Sequence, residues 1–388
     1  MTMAFDFTTP RRVLFGCGRV AEAGGLAASF GKCAMVFAGQ NPNRCETLLA
    51  SLRKSAIDYS IYPVRGEPTF DVVRRLAAEA PGVKPDVIIA MGGGSVIDAA
   101  KAVAMLITNG GDPLDYAEVI GAGLPVNIPS LPFIAIPTTA GAGAEATRNA
   151  VLVDHTSRAK VSLRSHLMIP DTVIVDPQTT LSLPAAVTAE TGMDAMAQLI
   201  EPFVSVRANP LTDAICRTGI ERVARSLERA CTHPDDLTAR EDMSLAAWWS
   251  GVALANAGLG GVHGFAAALG GLGSAPHGLI CARFLAPVCR KNIELIRTMP
   301  VDHPALIKFG ELARIVTGRD NAQPDDLIVW LEALANRLPL GNLSDYRVRE
   351  LNENEVISAA AKSSSMKGNP VSWSESDLRD VFLATVSG

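Results

Sequence analysis

Four residues in the second half of the chain have the types and spacing of a small divalent-cation site. Asp194 and Gln198 stand four apart, and His263 and His277 fourteen apart. On a helix, positions i and i+4 share a face, so Asp194 and Gln198 can address one ion while the two imidazoles arrive from another segment. Two imidazoles and a carboxylate leave a coordination position open, the arrangement by which catalytic zinc or iron polarises a carbonyl oxygen. Gln198 is the weakest donor, a neutral amide that either ligates or holds a water. A single buried histidine is commonly a satisfied core side chain. Both of these, however, fall between Met243 and Ala282, a stretch without Asp, Glu, Lys or Arg, where a buried polar site explains the pair better. His155, His166, His233 and His303 sit beside charged or loop-like residues and read as surface positions.

A second chemistry lies upstream. The apolar run Val87-Ile88-Ile89-Ala90-Met91 leads into Gly92-Gly93-Gly94-Ser95 and then into the helix pattern from Val96 to Ala104. Glycines allow close backbone approach, and the N–H groups and dipole of a following helix attract phosphate oxygens. Ser95 is expected to cap that helix, with Asp98 completing a capping box. The turn is neither a P-loop nor the G-x-G-x-x-G fingerprint. A further hydroxyl- and glycine-rich loop, from Pro137 to Glu145 and including Thr138 and Thr139, follows another buried strand pattern and is expected at the same end of the sheet.

The elements that must position these groups divide the chain in two. Short β-rich runs at Arg12 to Phe15, Ala34 to Ala38, Asp86 to Ala90, Phe133 to Ile136 and Thr172 to Val175 alternate with amphipathic stretches, predicting a mostly parallel sheet with crossover helices. From about Pro184 the β-branched runs vanish. Helical spacing takes over at Thr188 to Val204, Leu211 to Ala230 and Ala239 to Leu254. The expected fold class is therefore α/β plus all-α, with a dinucleotide-binding domain over 1–183, a helical metal and substrate domain over 184–388, and a cleft between them.

Composition narrows the partners. A net charge of −5 without a Lys/Arg block argues against a nucleic-acid track or an anionic membrane surface, which leaves small-molecule chemistry. The uncharged stretch is broken by Gly258, Gly260, Gly261, His263, Gly270, Gly271 and Pro276, so no membrane span is expected. Seven scattered cysteines without a C-x-x-C pair, and no export signal at the first residues, point to a reducing cytoplasm.

Taken together these motifs resemble the iron-containing (group III) alcohol dehydrogenases, within the wider dehydroquinate synthase-like superfamily. The resemblance runs over nearly the whole chain. It is carried by Arg12-Val13-Leu14-Phe15-Gly16-Cys17-Gly18, by Gly92-Gly93-Gly94-Ser95 with Asp98 and Lys101, and by Pro137-Thr138-Thr139-Ala140-Gly141 with Glu145. It continues through Lys160, Pro170-Asp171, Asp176-Pro177, Thr191-Gly192-Met193-Asp194-Ala195, Gly258-Leu259-Gly260 with His263-Gly264, Pro276-His277-Gly278 and Asn369-Pro370. The resemblance implies hydride transfer between NAD or NADP and an alcohol or aldehyde, assisted by Fe2+ or Zn2+, in a homodimer. It places Gly92, Gly93, Gly94, Ser95 and Asp98 at the pyrophosphate and nicotinamide, Thr138 and Thr139 along the cofactor, and Lys160 at phosphate or ribose. The metal falls to Asp194, His263 and His277, with Gln198 where the usual member has histidine.

Two further departures stand out. Ala267 replaces a second histidine that follows the first by four residues and is assigned to proton relay, and Cys281 stands where many members have Asn. In addition, Gly39 closes the second strand where NAD-preferring relatives carry Asp. Without that acidic side chain nothing repels a 2′-phosphate, Arg44 is near enough to pair with one, and NADP is favoured. Loss of two histidines motivates an alternative, a metal-independent reductase resembling maleylacetate reductase, in which Arg148 orients a carboxylate. A non-catalytic nucleotide-binding protein is the other alternative. Leu254, Phe265 and Cys281 are expected as apolar pocket walls, which do not name the alcohol.

Overall fold

The computed structural model describes residues 4–154, 156–157, 159–299 and 303–387. His155 lies outside them. The chain forms two compact units, one of residues 8–139 and 143–182, the other of 4–7, 140–142 and 183–387.

The first unit runs β1 (Arg12–Phe15), α1 (Ala23–Ala28), β2 (Cys33–Ala38), α2 (Glu46–Lys54), β3 (Asp58–Pro63), α3 (Phe70–Val83), β4 (Val87–Gly92), α4 (Gly94–Asn109), β5 (Phe133–Pro137), β6 (Asn149–Asp154), β7 (Ala159–Arg164) and β8 (Thr172–Val175). Six strands form one sheet in the order β1-β8-β5-β4-β2-β3, and every pairing in it is parallel. Parallel strands need crossover connections and cover on both faces, so their sequences run apolar without alternation. That is why β4 and β5, buried at every position, are legible in the sequence. Edge strand β3 buries only Tyr62 and carries no such signal. Nor does the separate antiparallel hairpin β6–β7.

Register decides what meets at the sheet's carboxyl end. Ala38 lies opposite Met91, and Gly92 opposite Pro137, so Gly39, the Gly92–Ser95 turn and the Thr138-Thr139 loop emerge side by side. Open parallel sheets bind ligands at this end. The expected cap is corrected here: α4 starts at Gly94 behind Gly93 as N-cap, with no side chain capping it, and Ser95 already lies in the first helical turn. The reason is positional. The chain turns helical directly after Gly92 ends the strand and Gly93 forms the N-cap, so Ser95 falls two residues inside the N-cap, where a hydroxyl no longer reaches the free N–H groups. A Cβ at Gly92 would stand 2.5 Å from Val96 Cγ2, so the turn needs a glycine there.

The second unit is helical: α5 (Ala185–Val204), α6 (Pro210–Thr232), α7 (Leu237–Ala257), α8 (Gly261–Leu272), α9 (His277–Arg297), α10 (Pro304–Thr317), α11 (Pro324–Arg337), α12 (Glu353–Lys362) and α13 (Glu375–Ser387). Helix α5 is the central one, buried from Gly192 to Val204 and packed against α6, α7 and α9. The uncharged stretch resolves into the end of α7, all of α8 and the start of α9. Helices α7 and α8 meet at a 98° bend beside Gly258, whose φ of 71° is left-handed. Among the described residues no single helix is long and apolar enough to cross a membrane. Phe265 is a core residue, fully buried and stacked on Phe284 at 4.6 Å, and not the pocket wall the sequence suggested.

Candidate metal centre and nucleotide loops

Three helices bring four donors together. Asp194 comes from the buried middle of α5, His263 from the first turn of α8, and His277 and Cys281 from successive turns of α9, four residues apart on one face. Helix α9 reaches α5 because Gly278 lacks a side chain: a Cβ there would lie 2.5 Å from the Glu190 carbonyl oxygen. The donor atoms of Asp194, His263, His277 and Cys281 all lie within 4.8 Å of one another. Asp194 Oδ1 is 3.2 Å from His263 Nε2 and 3.7 Å from His277 Nε2. Cys281 Sγ is 3.8 Å from His263 Nε2 and 3.7 Å from His277 Nε2. Asp194, His263 and Cys281 are buried, and His277 is half-buried.

A second layer orients the first. Glu201, two turns along α5 from Asp194, accepts a 2.6 Å hydrogen bond from His263 Nδ1 and another, also 2.6 Å, from the Val262 backbone N–H. One carboxylate thus caps the start of α8 and fixes the imidazole tautomer, leaving Nε2 to face Asp194. Gln198 stands beside the group. Its Nε2 donates to Asp194 Oδ1 at 3.0 Å, and its Oε1 accepts from Ser250 Oγ at 3.2 Å. Ala267, half-buried one turn beyond His263 on α8, brings no polar atom to the group.

The electrostatics fit a cation. Burial opposes ionisation of Asp194, but His277 and His263 beside it, with Gln198 donating, hold its carboxyl down at about 2. Burial pushes the Cys281 thiol up to about 12, against the pull of His263. Burial also works against a charged His263, yet Cys281, Glu201 and Asp194 raise it well above the ordinary imidazole value. Carboxylate oxygen, imidazole nitrogen and thiol sulfur are the donor types that bind zinc and related divalent ions, so the residues present fit such a metal.

In the first unit the glycine turn and the Thr138-Thr139 loop lie side by side, as the register requires. Thr138 donates its backbone N–H to the Gly92 carbonyl at 3.0 Å, and a Cβ at Gly93 would come within 3.3 Å of Thr139 Cγ2. This crowding keeps the backbone bare beside the uncapped start of α4, whose free N–H groups are the kind that attract an anion. Lys160 forms an ion pair with Glu67, and both charges act on Asp98. Lys101 does something else. Fully buried, its Nζ donates to the carbonyls of Ala144 at 2.5 Å, Thr147 at 2.6 Å and Asn149 at 2.9 Å, and to Thr147 Oγ1 at 2.9 Å. It pins the strand-connecting loop in place. At Gly39 a Cβ would meet nothing within 4 Å, so a larger residue would fit there. Arg44 donates to Ser182 Oγ, and Arg148 is exposed.

Known proteins match both halves of this arrangement. Residues 10–177 match the family described as iron-containing alcohol dehydrogenase, and residues 188–386 the C-terminal domain of the Fe-containing alcohol dehydrogenase family. A 1,3-propanediol dehydrogenase of Klebsiella pneumoniae is 31% identical over 396 residues, covering 97% of this chain and 98% of its own. An NAD-dependent methanol dehydrogenase of Bacillus methanolicus is 32% identical over 293 residues, 74% of this chain and 76% of its own. Among solved structures, the alcohol dehydrogenase from Oenococcus oeni superimposes with a TM-score of 0.89 at 31% identity, covering 98% of this chain and all of that one. The chain belongs to the iron-containing alcohol dehydrogenase family.

Within that family fold, the sequence reading missed Glu201 altogether and treated Cys281 only as a departure and an apolar wall. Glu201 had a signal: an acid seven residues after Asp194, set among Leu199, Ile200, Pro202 and Phe203, where only a paired charge is tolerated. The approach of Cys281 depends on how α9 docks against α5 and α8, and nothing in the local sequence encodes that. His166 and His233 are exposed as expected, and His303 caps α10 through Nδ1.

Proposed function

We propose that this alcohol dehydrogenase family member interconverts an alcohol with an aldehyde or ketone, using a nicotinamide cofactor and a divalent iron or zinc ion held by Asp194, His263 and His277. The observation that carries the reading is the convergence of these donors from three helices, with Glu201 behind His263. When bound, such an ion polarises the substrate oxygen while the nicotinamide ring gives or takes the hydride.

The chain's own part is orientation. Glu201 keeps the proton on His263 Nδ1, and Gln198 steadies the Asp194 carboxylate. Ala267 offers no acid or base, so the alcohol proton exchanges with solvent. Gly92, Gly93, Gly94 and Ser95 present the first turn of α4 to the pyrophosphate, Thr138, Thr139 and Asp98 line the cofactor, and Lys160 serves phosphate or ribose. The division at 183/184 separates cofactor from metal duties, and we assign the protein to the cytoplasm as a homodimer. Relatives named for 1,3-propanediol and methanol make short aliphatic alcohols the first substrates to test.

NADP is the favoured cofactor. A Cβ at Gly39 would meet nothing within 4 Å, so the position does not demand glycine, and the absence of an acidic side chain there removes the group that would repel a 2′-phosphate. Initial rates with NADPH are expected to exceed those with NADH, and a strong NADH preference overturns this part. Elemental analysis with a cofactor-linked screen of alcohols and aldehydes tests the whole. Full turnover after chelation would move the protein to the metal-independent class resembling maleylacetate reductase. Cofactor binding without turnover across the panel would make it a non-catalytic binding protein.

A further inference from the structure

The donor group contains one atom that the proposed three-residue site does not use. We infer that the Cys281 sulfur is the fourth ligand of the metal, giving an Asp-His-His-Cys centre in which Gln198 orients Asp194 and does not itself ligate. The inference rests on the reading of this group as a metal site.

Geometry carries it. With metal–nitrogen or metal–oxygen bonds of about 2.0–2.1 Å, a metal–sulfur bond of about 2.3 Å and tetrahedral angles, ligand atoms should be separated by about 3.3 Å for nitrogen–oxygen edges and about 3.6 Å for nitrogen–sulfur edges. The measured edges are 3.2 and 3.7 Å from Asp194 Oδ1 to the two imidazole nitrogens, and 3.8 and 3.7 Å from Cys281 Sγ to the same nitrogens. These four of the six edges agree within a few tenths of an ångström, with the sulfur edges the longer on average, as the larger atom requires, and the remaining two, oxygen to sulfur and nitrogen to nitrogen, lie within 4.8 Å. Gln198 is arranged otherwise: its amide N–H₂ faces Asp194 and its oxygen takes the Ser250 hydroxyl. An amide oxygen turned toward Asp194 would instead set two acceptors against each other.

Chemistry agrees with position. His277 and Cys281 share one face of α9 a single turn apart, so the helix that delivers one ligand delivers the other. Ligation replaces the sulfur–hydrogen bond by a metal–sulfur bond and releases that proton to solvent. A thiolate makes the set softer than one of nitrogen and oxygen alone, which suits zinc or cobalt. Four protein donors still permit catalysis, because zinc expands to five-coordinate when a substrate oxygen enters.

Cobalt(II) loaded into the full-length protein reads the sulfur directly, since thiolate ligation produces an intense sulfur-to-cobalt charge-transfer band in the near ultraviolet that nitrogen and oxygen ligands lack. The wild type is expected to bind one cobalt per chain and to show the band. Cys281→Ser and Cys281→Ala should lose the band while still binding cobalt at least tenfold more weakly, and Gln198→Ala should keep both band and stoichiometry. One bound cobalt without the band in the wild type, or a band unchanged in Cys281→Ser, overturns the ligand assignment and leaves the three-donor site standing. Failure to bind cobalt at all overturns both.

Discussion

Among the places where the described residues bury charge, two contrast in a way that separates scaffold from candidate site. In the sheet unit, Lys101 Nζ is surrounded by four acceptor atoms that share its three N–H groups, with Asp98 and Glu145 close enough to feel its charge. Its hydrogen bonds are internal, and their product is a fixed loop. In the helical unit, Asp194, His263, His277 and Cys281 bring a carboxylate, two imidazole nitrogens and a sulfur toward one volume, and Glu201 adds a second carboxylate behind. That set is rich in acceptors facing one volume, an excess that a bound cation would resolve under the proposed reading. Burial of charge alone therefore does not single out a candidate site, whereas a local excess of acceptors does.

The contrast breaks most visibly if its metal side is wrong. His263→Ala should abolish metal content and lower kcat/KM by about a thousandfold, the equivalent of several kcal/mol of lost polarisation, measured by elemental analysis beside initial rates. An active, metal-replete variant would erase the distinction. The scaffold side predicts the opposite pattern for Lys101→Met: the buried Ala144, Thr147 and Asn149 carbonyls lose their donor, and stability to denaturant should fall by about 3 kcal/mol while metal content stays intact.

Glu201→Gln sharpens the metal side. Losing the carboxylate behind His263 should weaken metal binding by about 10–100-fold, read by competition with a chelator, and an unchanged affinity would leave Glu201 as a helix cap only. The smallest effect concerns pH. Burial raises the Glu145 carboxyl from 4.5 to about 7, against its own backbone N–H and Lys101. A carboxyl whose folded value lies above its unfolded one contributes stability that is complete below about 4.5 and lost as pH rises through about 7. Glu145→Gln should therefore flatten the decline in Tm between pH 5 and pH 8, by about 2 °C at the alkaline end. An equal decline in both proteins would refute it.

Several features were legible in the residues because they are local. Strands β4, β5 and β8 announce themselves as unbroken apolar runs, since a covered parallel strand cannot alternate. The Asp194-Gln198 pair sits on one helix face, a matter of periodicity alone. Ser95 was misread because residue type does not say at which residue the turn becomes helical, and α4 begins already at Gly94, behind Gly93 as N-cap.

By itself, the sequence determined the two-part class of the fold, the family, the glycine turn and three of the four donors, because each depends on residue type at short spacing or on a pattern matched along the chain. Only the tertiary structure decided that Cys281 joins the group, that Glu201 stands behind His263, that Gln198 turns its oxygen toward Ser250, and that Lys101 is spent on backbone carbonyls. Those are distances between helices and loops many residues apart, set by how side chains and glycines let elements approach, and no local run of residues encodes them.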